Sequence, residues 1–191
     1  MRYDPSHKTS THQRIVKNAS RQVRAQGLGG PGVMEVMKAS GLTPGGFYKH
    51  FSSRDDLLVE AVDESVREIG AKLIQWARQA RPGEAWKEIV KKYLSLEHCE
   101  HPDKGCPMAA LAPDIARTTP VVRKRILLSM EIYRKQLVEF MPGESASQRE
   151  KNFTLIFTAM LGALGVARTM ADPENKRRVL GLVRNHLLSS F

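Results

Sequence analysis

The sequence predicts an all-α fold, with an N-terminal three-helix helix-turn-helix head and a larger C-terminal helical body, about nine helices in total. Three observations carry this. Apolar residues recur about every 3.6 positions in nearly every segment, no stretch sustains the apolar–polar alternation of a strand, and Gly, Pro, Ser, Thr and Asp fall where caps and breakers belong.

The first helix is predicted from about Thr9 to Gln26. Ile15, Ala19 and Val23 form its apolar stripe, Lys17, Arg21 and Arg24 lie on the other faces, and Gly27 ends it. After the connector GLGGPG, Val33–Ser40 makes a short helix that buries Val33, Val36 and Met37 before Gly41 breaks it. Thr43 is read as the cap of a third short helix with Pro44 at its first position, where a missing amide hydrogen costs nothing.

Ser53 should cap a long fourth helix reaching Ala80, with Asp55 and Asp56 against the positive end of its dipole. Further helices are expected over Glu84–His98, Pro107–Arg117, Thr119–Met141, Gln148–Ala171 and Asp172–Ser189. The division is expected at residue 53, with a head of residues 1–53 and a body of residues 54–191.

Charge is distributed unevenly between these parts. The formal net charge of the 191 residues is +10, and residues 1–54 hold nine Lys/Arg against Asp4 and Glu35. A basic leading segment suits phosphates, because neutralising them releases counterions and gives sequence-independent affinity. A solvated basic surface is the plainer explanation of charge alone.

Other classes find less support. Two cysteines, Cys99 and Cys106, make no disulfide framework, so a reducing, cytoplasmic setting is expected. The opening MRYDPSHKTSTHQR has no secretory apolar core, and the longest apolar run, Phe153–Ala167, falls short of the roughly 20 residues of a bilayer crossing. His98, Cys99, His101 and Cys106 match no strong zinc template, and no nucleophile motif or phosphate loop accompanies the histidines; neither a metal, a cofactor nor an enzyme is expected.

The segment VMEVMKASGLTPGGFYKHF, residues 33–51, has helix-turn-helix spacing, with Gly41 in the turn and Leu42 plugging the corner. Gly45 and Gly46 each cost about 1 kcal/mol in a helix relative to Ala, which a close backbone approach to DNA would explain. Phe47 and Phe51, four apart, point inward and leave Thr43, Tyr48, Lys49 and His50 outward as phosphate and base-edge donors. A helical module that binds proteins without touching DNA shares this spacing and stands as the alternative.

GLTPGGFYKHFSSRDDLLVEAV resembles the end of the TetR-type helix-turn-helix, whose recurring form runs from Gly-Leu-Ser/Thr through an aromatic, Tyr and His-Phe to Lys/Arg-Asp/Glu-x-Leu. The likeness covers about residues 10–65, and GCPMAALAPDIAR at 105–117 is similar to the sixth-helix region of a subgroup of these regulators. Pro31-Gly32-Val33 stands where the family has a hydroxyl residue, so no such phosphate contact is expected there.

The resemblance implies that Thr43, Gly45, Gly46, Tyr48, Lys49 and His50 face DNA and that Arg54 takes the phosphate-contacting position. It also implies a homodimeric repressor on a palindromic double-stranded DNA operator, released by a small-molecule effector, with the body of residues 54–191 binding that ligand and dimerising. For the dimer face the candidates are Phe153, Ile156, Phe157, Met160, Leu161 and Leu164 with Leu180, Val183 and Leu187. For the effector pocket they are Trp76, Trp86, Tyr93, Cys106, Met108, Met130 and Tyr133, with an electrophile or oxidant acting on Cys106 as one form of effector.

Overall fold

The computed structural model describes residues 5–191, and among these every regular element is a helix, without a strand. α1 (Pro5–Gln26) and α2 (Val33–Ala39) lead into a 3-10 helix, Pro44–Lys49. α3 (Arg54–Gln79) follows, then α4 (Ala85–Tyr93), α5 (Leu96–Glu100) and a 3-10 turn, Pro102–Lys104. α6 (Pro107–Ala116), α7 (Pro120–Val138), α8 (Ala146–Arg168) and α9 (Pro173–Ser190) complete the chain.

Most boundaries follow from cap chemistry. The hydroxyls of Ser53, Thr119 and Ser145 accept from the amides of Asp56, Val122 and Gln148, and both Asp172 oxygens accept from the first turn of α9. Gly27 closes α1 at φ 84°, and Gly41 turns the chain after α2 at φ 69°, a left-handed backbone that any Cβ would strain.

Two expectations need correction. The third helix is a 3-10 helix rather than an α-helix, and Thr43, extended at its start, makes no side-chain cap bond. Six residues with Pro and two glycines among them supply too few side chains to hold a wider α turn. The helix expected over Glu84–His98 is broken at Leu94 (ψ 49°), after which Ser95 caps the separate α5 by accepting from the His98 amide.

That break is closed by a histidine. His98 Nδ1 lies 2.8 Å from the Tyr93 carbonyl, and its Nε2 accepts from the Cys106 amide at 3.1 Å. One ring nitrogen must donate and the other accept, so the imidazole is neutral, and burial pushes its pKa down to about 4. Arg168 of α8 donates to the carbonyls of His98 and Cys99 from the other side.

Two apolar clusters fill the interior. The first joins Ile15, Val23, Met37, Phe47 and Phe51 of the head to Leu57 of α3 and to Leu111, Ile115 and Ile126. The second holds the far half of α3 with α4, α8 and α9 around Tyr93, Ile156, Met160 and Leu164. Because α6 and α7 contribute to the head's cluster, the packing crosses the expected boundary at residue 53. Among the described residues, no helix is long and apolar enough to cross a membrane, and the Phe153–Ala167 run lies in α8 with its inward side in the second cluster.

α3 and α7 approach closely at Gly70, where an added Cβ would sit inside van der Waals contact with the Tyr133 ring. The helix preference of Ala over Gly is about 1 kcal/mol, whereas overpacking an aromatic contact costs about 1–3 kcal/mol. Gly70→Ala is therefore expected to lower the denaturation midpoint; a raised midpoint would show that helix propensity dominates instead.

An unfolded chain protonates His98 around pH 6.5, the folded chain only near 4. Stability is untouched by this group above pH 6.5 and falls as pH drops through the interval, by on the order of 3 kcal/mol in all. Denaturation followed from pH 7 to pH 4 should show that slope in the native chain and lose it in His98→Gln, and equal slopes would refute the assignment.

Candidate nucleic-acid interface

The 3-10 helix Pro44–Lys49 is held from beneath by two aromatic side chains. Phe47 and Phe51 are each 3% exposed, stack with ring centres 5.4 Å apart, and sit in the head's apolar cluster. Anchoring on that side leaves the opposite edge bare: Tyr48 is 80% exposed, standing edge-on to Phe47, and Thr43 and Lys49 are exposed beside it. A phenol, a hydroxyl and an ammonium thus project from one short rigid element.

The two glycines have no internal task that excludes a side chain. A Cβ at Gly45 would meet nothing within 4 Å, and one at Gly46 would make an ordinary contact with Met37. Their bare backbone is open to a large rigid surface.

His50 is turned further inward than expected. Its amide donates to the Phe47 carbonyl and its ring is half-buried, with Nδ1 unpartnered and the His12 ring 6.0 Å away. Burial, then the nearby charges of His12, Lys8 and Lys49, lower its pKa, which leaves the ring neutral at neutral pH. Arg54 has its chain at the surface, but one guanidinium nitrogen donates to the Leu28 carbonyl at 2.6 Å, tying the α1–α2 connector to α3.

Several residues that build the site have no motif to announce them. His12 stacks on Phe51 at 4.6 Å and reaches Glu60 at 2.6 Å, fixing α1 against α3 and the 3-10 helix at once. Asn18 donates to the Ala39 carbonyl and the Ser40 hydroxyl and holds the end of α2.

Arg24, which the helical pattern puts on an outer face, is 2% exposed. It donates to Ser20 within its own helix, to Glu68 of α3 at 2.6 Å and to the Gly105 carbonyl at 3.2 Å. Beside it, Asp114 of α6 accepts from the Leu28 amide at 2.9 Å. One buried cation and one carboxylate therefore bolt the head to the body.

The residues singled out for an effector are spread between the two apolar clusters and a half-buried position. Trp86 and Tyr93 are filled core, the Tyr93 hydroxyl lying beside the Cys106 thiol; Cys106 itself is 7% exposed at the start of α6. Burial also pushes the Cys99 thiol pKa up. Met108 and Tyr133 pack against both apolar clusters, Met130 against the head's alone, and Trp76, half-buried against the second cluster, has the Lys72 and Lys92 ammonium groups over its ring. A hollow of about 330 Å³ opens at the head–body seam between Leu28, Arg54, Leu58, Asp114, Thr118 and Ile126. No cluster of metal-ligating side chains occurs among the described residues.

The residues expected at a dimer face divide by exposure in the single chain. Ile156, Met160, Leu164, Leu180 and Leu187 are almost wholly buried within a single chain, because α8 and α9 turn these positions toward α4, α5 and each other. Phe153, Phe157, Leu161 and Val183 are half-buried, and the apolar residues left bare on the outer side are Leu155, Val166 and Leu182.

Residues 15–61 match the family model for bacterial regulatory proteins of the tetR family. An uncharacterized HTH-type transcriptional regulator of Haemophilus influenzae is 37% identical over 184 residues, covering 92% of this chain and 88% of that protein. The HTH-type transcriptional regulator LmrA of Bacillus subtilis is 26% identical over 116 residues, 60% of this chain and 62% of that protein. Among solved structures, a TetR transcriptional regulator from Chloroflexus aurantiacus superposes with a TM-score of 0.76 at 22% identity, over 96% of this chain and 95% of that one.

Arg24→Ala removes the cation that Glu68 and the Gly105 carbonyl share. Breaking a buried pair costs about 3–5 kcal/mol, and partial exposure of Glu68 puts this one toward the low end. A denaturant titration should register that loss, and a change under about 0.5 kcal/mol would remove Arg24 from the joint.

Proposed function

The chain belongs to the TetR family of DNA-binding transcriptional regulators, and from that premise we propose that it works as a homodimeric repressor, non-enzymatic and cytoplasmic, released from a palindromic operator by a small molecule. The observation that carries the DNA contact is the bare edge formed by Thr43, Tyr48 and Lys49 over the buried Phe47–Phe51 pair. Lys49 and the Tyr48 hydroxyl suit phosphates, the neutral His50 ring suits a base edge or phosphate as donor, and Gly45 and Gly46 let the backbone close on the duplex. Arg54 serves first as a brace on Leu28, with the rest of its guanidinium free for phosphate.

A single head reads too few base pairs for specificity, so two must reach successive major grooves about 34–36 Å apart. The outer side of α8 and α9 supports that pairing: Leu155, Gly162 and Val166 share a helical stripe, with Leu182 exposed on the adjacent helix. Half-buried Phe157, Leu161 and Val183 would flank the contact. A ligand reaching Met108 and Tyr133, which touch both apolar clusters, could change the angle of head to body and so the spacing of the heads. The Cys106 thiol is only 7% exposed, which favours an effector that binds non-covalently over one that modifies the thiol.

Lys49→Ala should weaken binding across duplex sequences and reduce the slope of log affinity against log salt by about one. Gly45→Ala should leave the denaturation midpoint equal or higher while weakening the duplex complex by about tenfold. An unchanged salt slope together with unchanged Gly45→Ala affinity would move the interface elsewhere, and no salt-dependent retention on any duplex would favour a protein-docking module.

Leu182→Glu would place two carboxylates in the apolar contact between protomers. Sedimentation at micromolar concentration should show a dimer for the native chain and a monomer for the variant; an intact variant dimer would refute this pairing.

A further inference from the structure

α3, the end of α4 and the Ser95–Lys104 stretch line a groove of about 500 Å³, within the range of small-molecule sites. The local sequence makes it cationic. Lys72 and Trp76, one helical turn apart on α3, share a face, and Lys91 and Lys92 close α4 opposite them. Lys104 ends the 3-10 turn and His101 immediately precedes it, and Glu97 is the sole carboxylate in the lining.

The ammonium groups of Lys72 and Lys92 stand 5.1 and 5.7 Å from the centre of the Trp76 ring. Lys91 is paired with Glu88, while among the described residues Lys72, Lys92 and Lys104 pair with no carboxylate. Unneutralised cations around one hollow repel each other, and an anion of two or more charges relieves that repulsion. Lysines act as point charges suited to phosphate, whereas the planar fork that matches a carboxylate is missing from the lining.

We propose that this groove binds a small phosphate ester carrying a planar ring. The phosphates draw the ammonium groups off Trp76, and the freed indole face stacks on the ligand's ring.

Its position gives the site a route to the head, a step that rests on the repressor reading above. Lys72 lies one turn beyond Glu68 on α3, and Lys104 immediately precedes Gly105. Glu68 and the Gly105 carbonyl are the two groups that Arg24 bridges, and the Pro102–Lys104 turn packs on α1. A ligand drawing Lys72 and Lys104 together spans the same two elements as Arg24, while His98 at the groove's wall carries the strain to the start of α6 through Cys106.

The test titrates the full-length protein with ADP and follows tryptophan emission, since Trp76 is in the groove and Trp86, the other tryptophan, is core. Saturable quenching is expected below about 1 mM, with inorganic pyrophosphate competing and adenosine not. The Lys72→Ala/Lys92→Ala variant should raise the half-saturation at least tenfold, and ADP should shift duplex affinity by about threefold in the native chain but not in that variant.

No saturable quenching, or quenching indifferent to the double substitution, overturns the site. Quenching without any shift in duplex affinity overturns the route to the head. Absence of duplex binding before ADP is added counts against the repressor reading alone, because quenching is read without DNA.

Discussion

A single guanidinium, almost sealed from water, holds the two functional parts of this molecule in register. Arg24 belongs to the head, yet its three donor directions go to its own helix, to α3 and to the loop before α6. A buried charge is tolerable only when its hydrogen bonds are satisfied together, so these elements must keep their relative positions or expose the cation. Any movement of the 98–106 loop is thereby felt in α1.

The reading edge relies on the same economy at smaller scale. Six residues of 3-10 helix would not persist alone, and their order is borrowed from Phe47 and Phe51 below and from His12, which grips Phe51 and Glu60. The side chains presented outward are consequently fixed at their roots while their tips stay free. Two such edges become one reader only if α8 and α9 pair rigidly, which asks of the body a bare apolar face in addition to a filled core.

Much of this was legible in the sequence because it depends on local chemistry. The caps at Ser53 and Asp172, the inward pair four residues apart and the glycine turn at 41 are all short-range signals. The 3-10 form of Pro44–Lys49 was not legible, because capped α and 3-10 turns of six residues share the same short-range signals, nor was the break at Leu94, which is closed by an imidazole spanning eight residues to Cys106. The burial of Arg24 is hidden for a related reason: helical periodicity puts it on an outer face, and only Glu68 and Gly105, far away in sequence, make the inward position favourable. Likewise Ile156, Met160 and Leu164 mark an apolar face correctly, but composition does not tell whether that face meets its own chain or a second copy. Within one chain those three are buried, while Leu155, Val166 and Leu182 stand bare.

The most direct test of two rigidly spaced heads is a hydroxyl-radical footprint on a duplex that the purified protein selects from genomic fragments. The account predicts two protected patches on one face of the duplex, about 10 base pairs apart centre to centre. A single protected patch, or two whose separation varies from one selected duplex to the next, would contradict it.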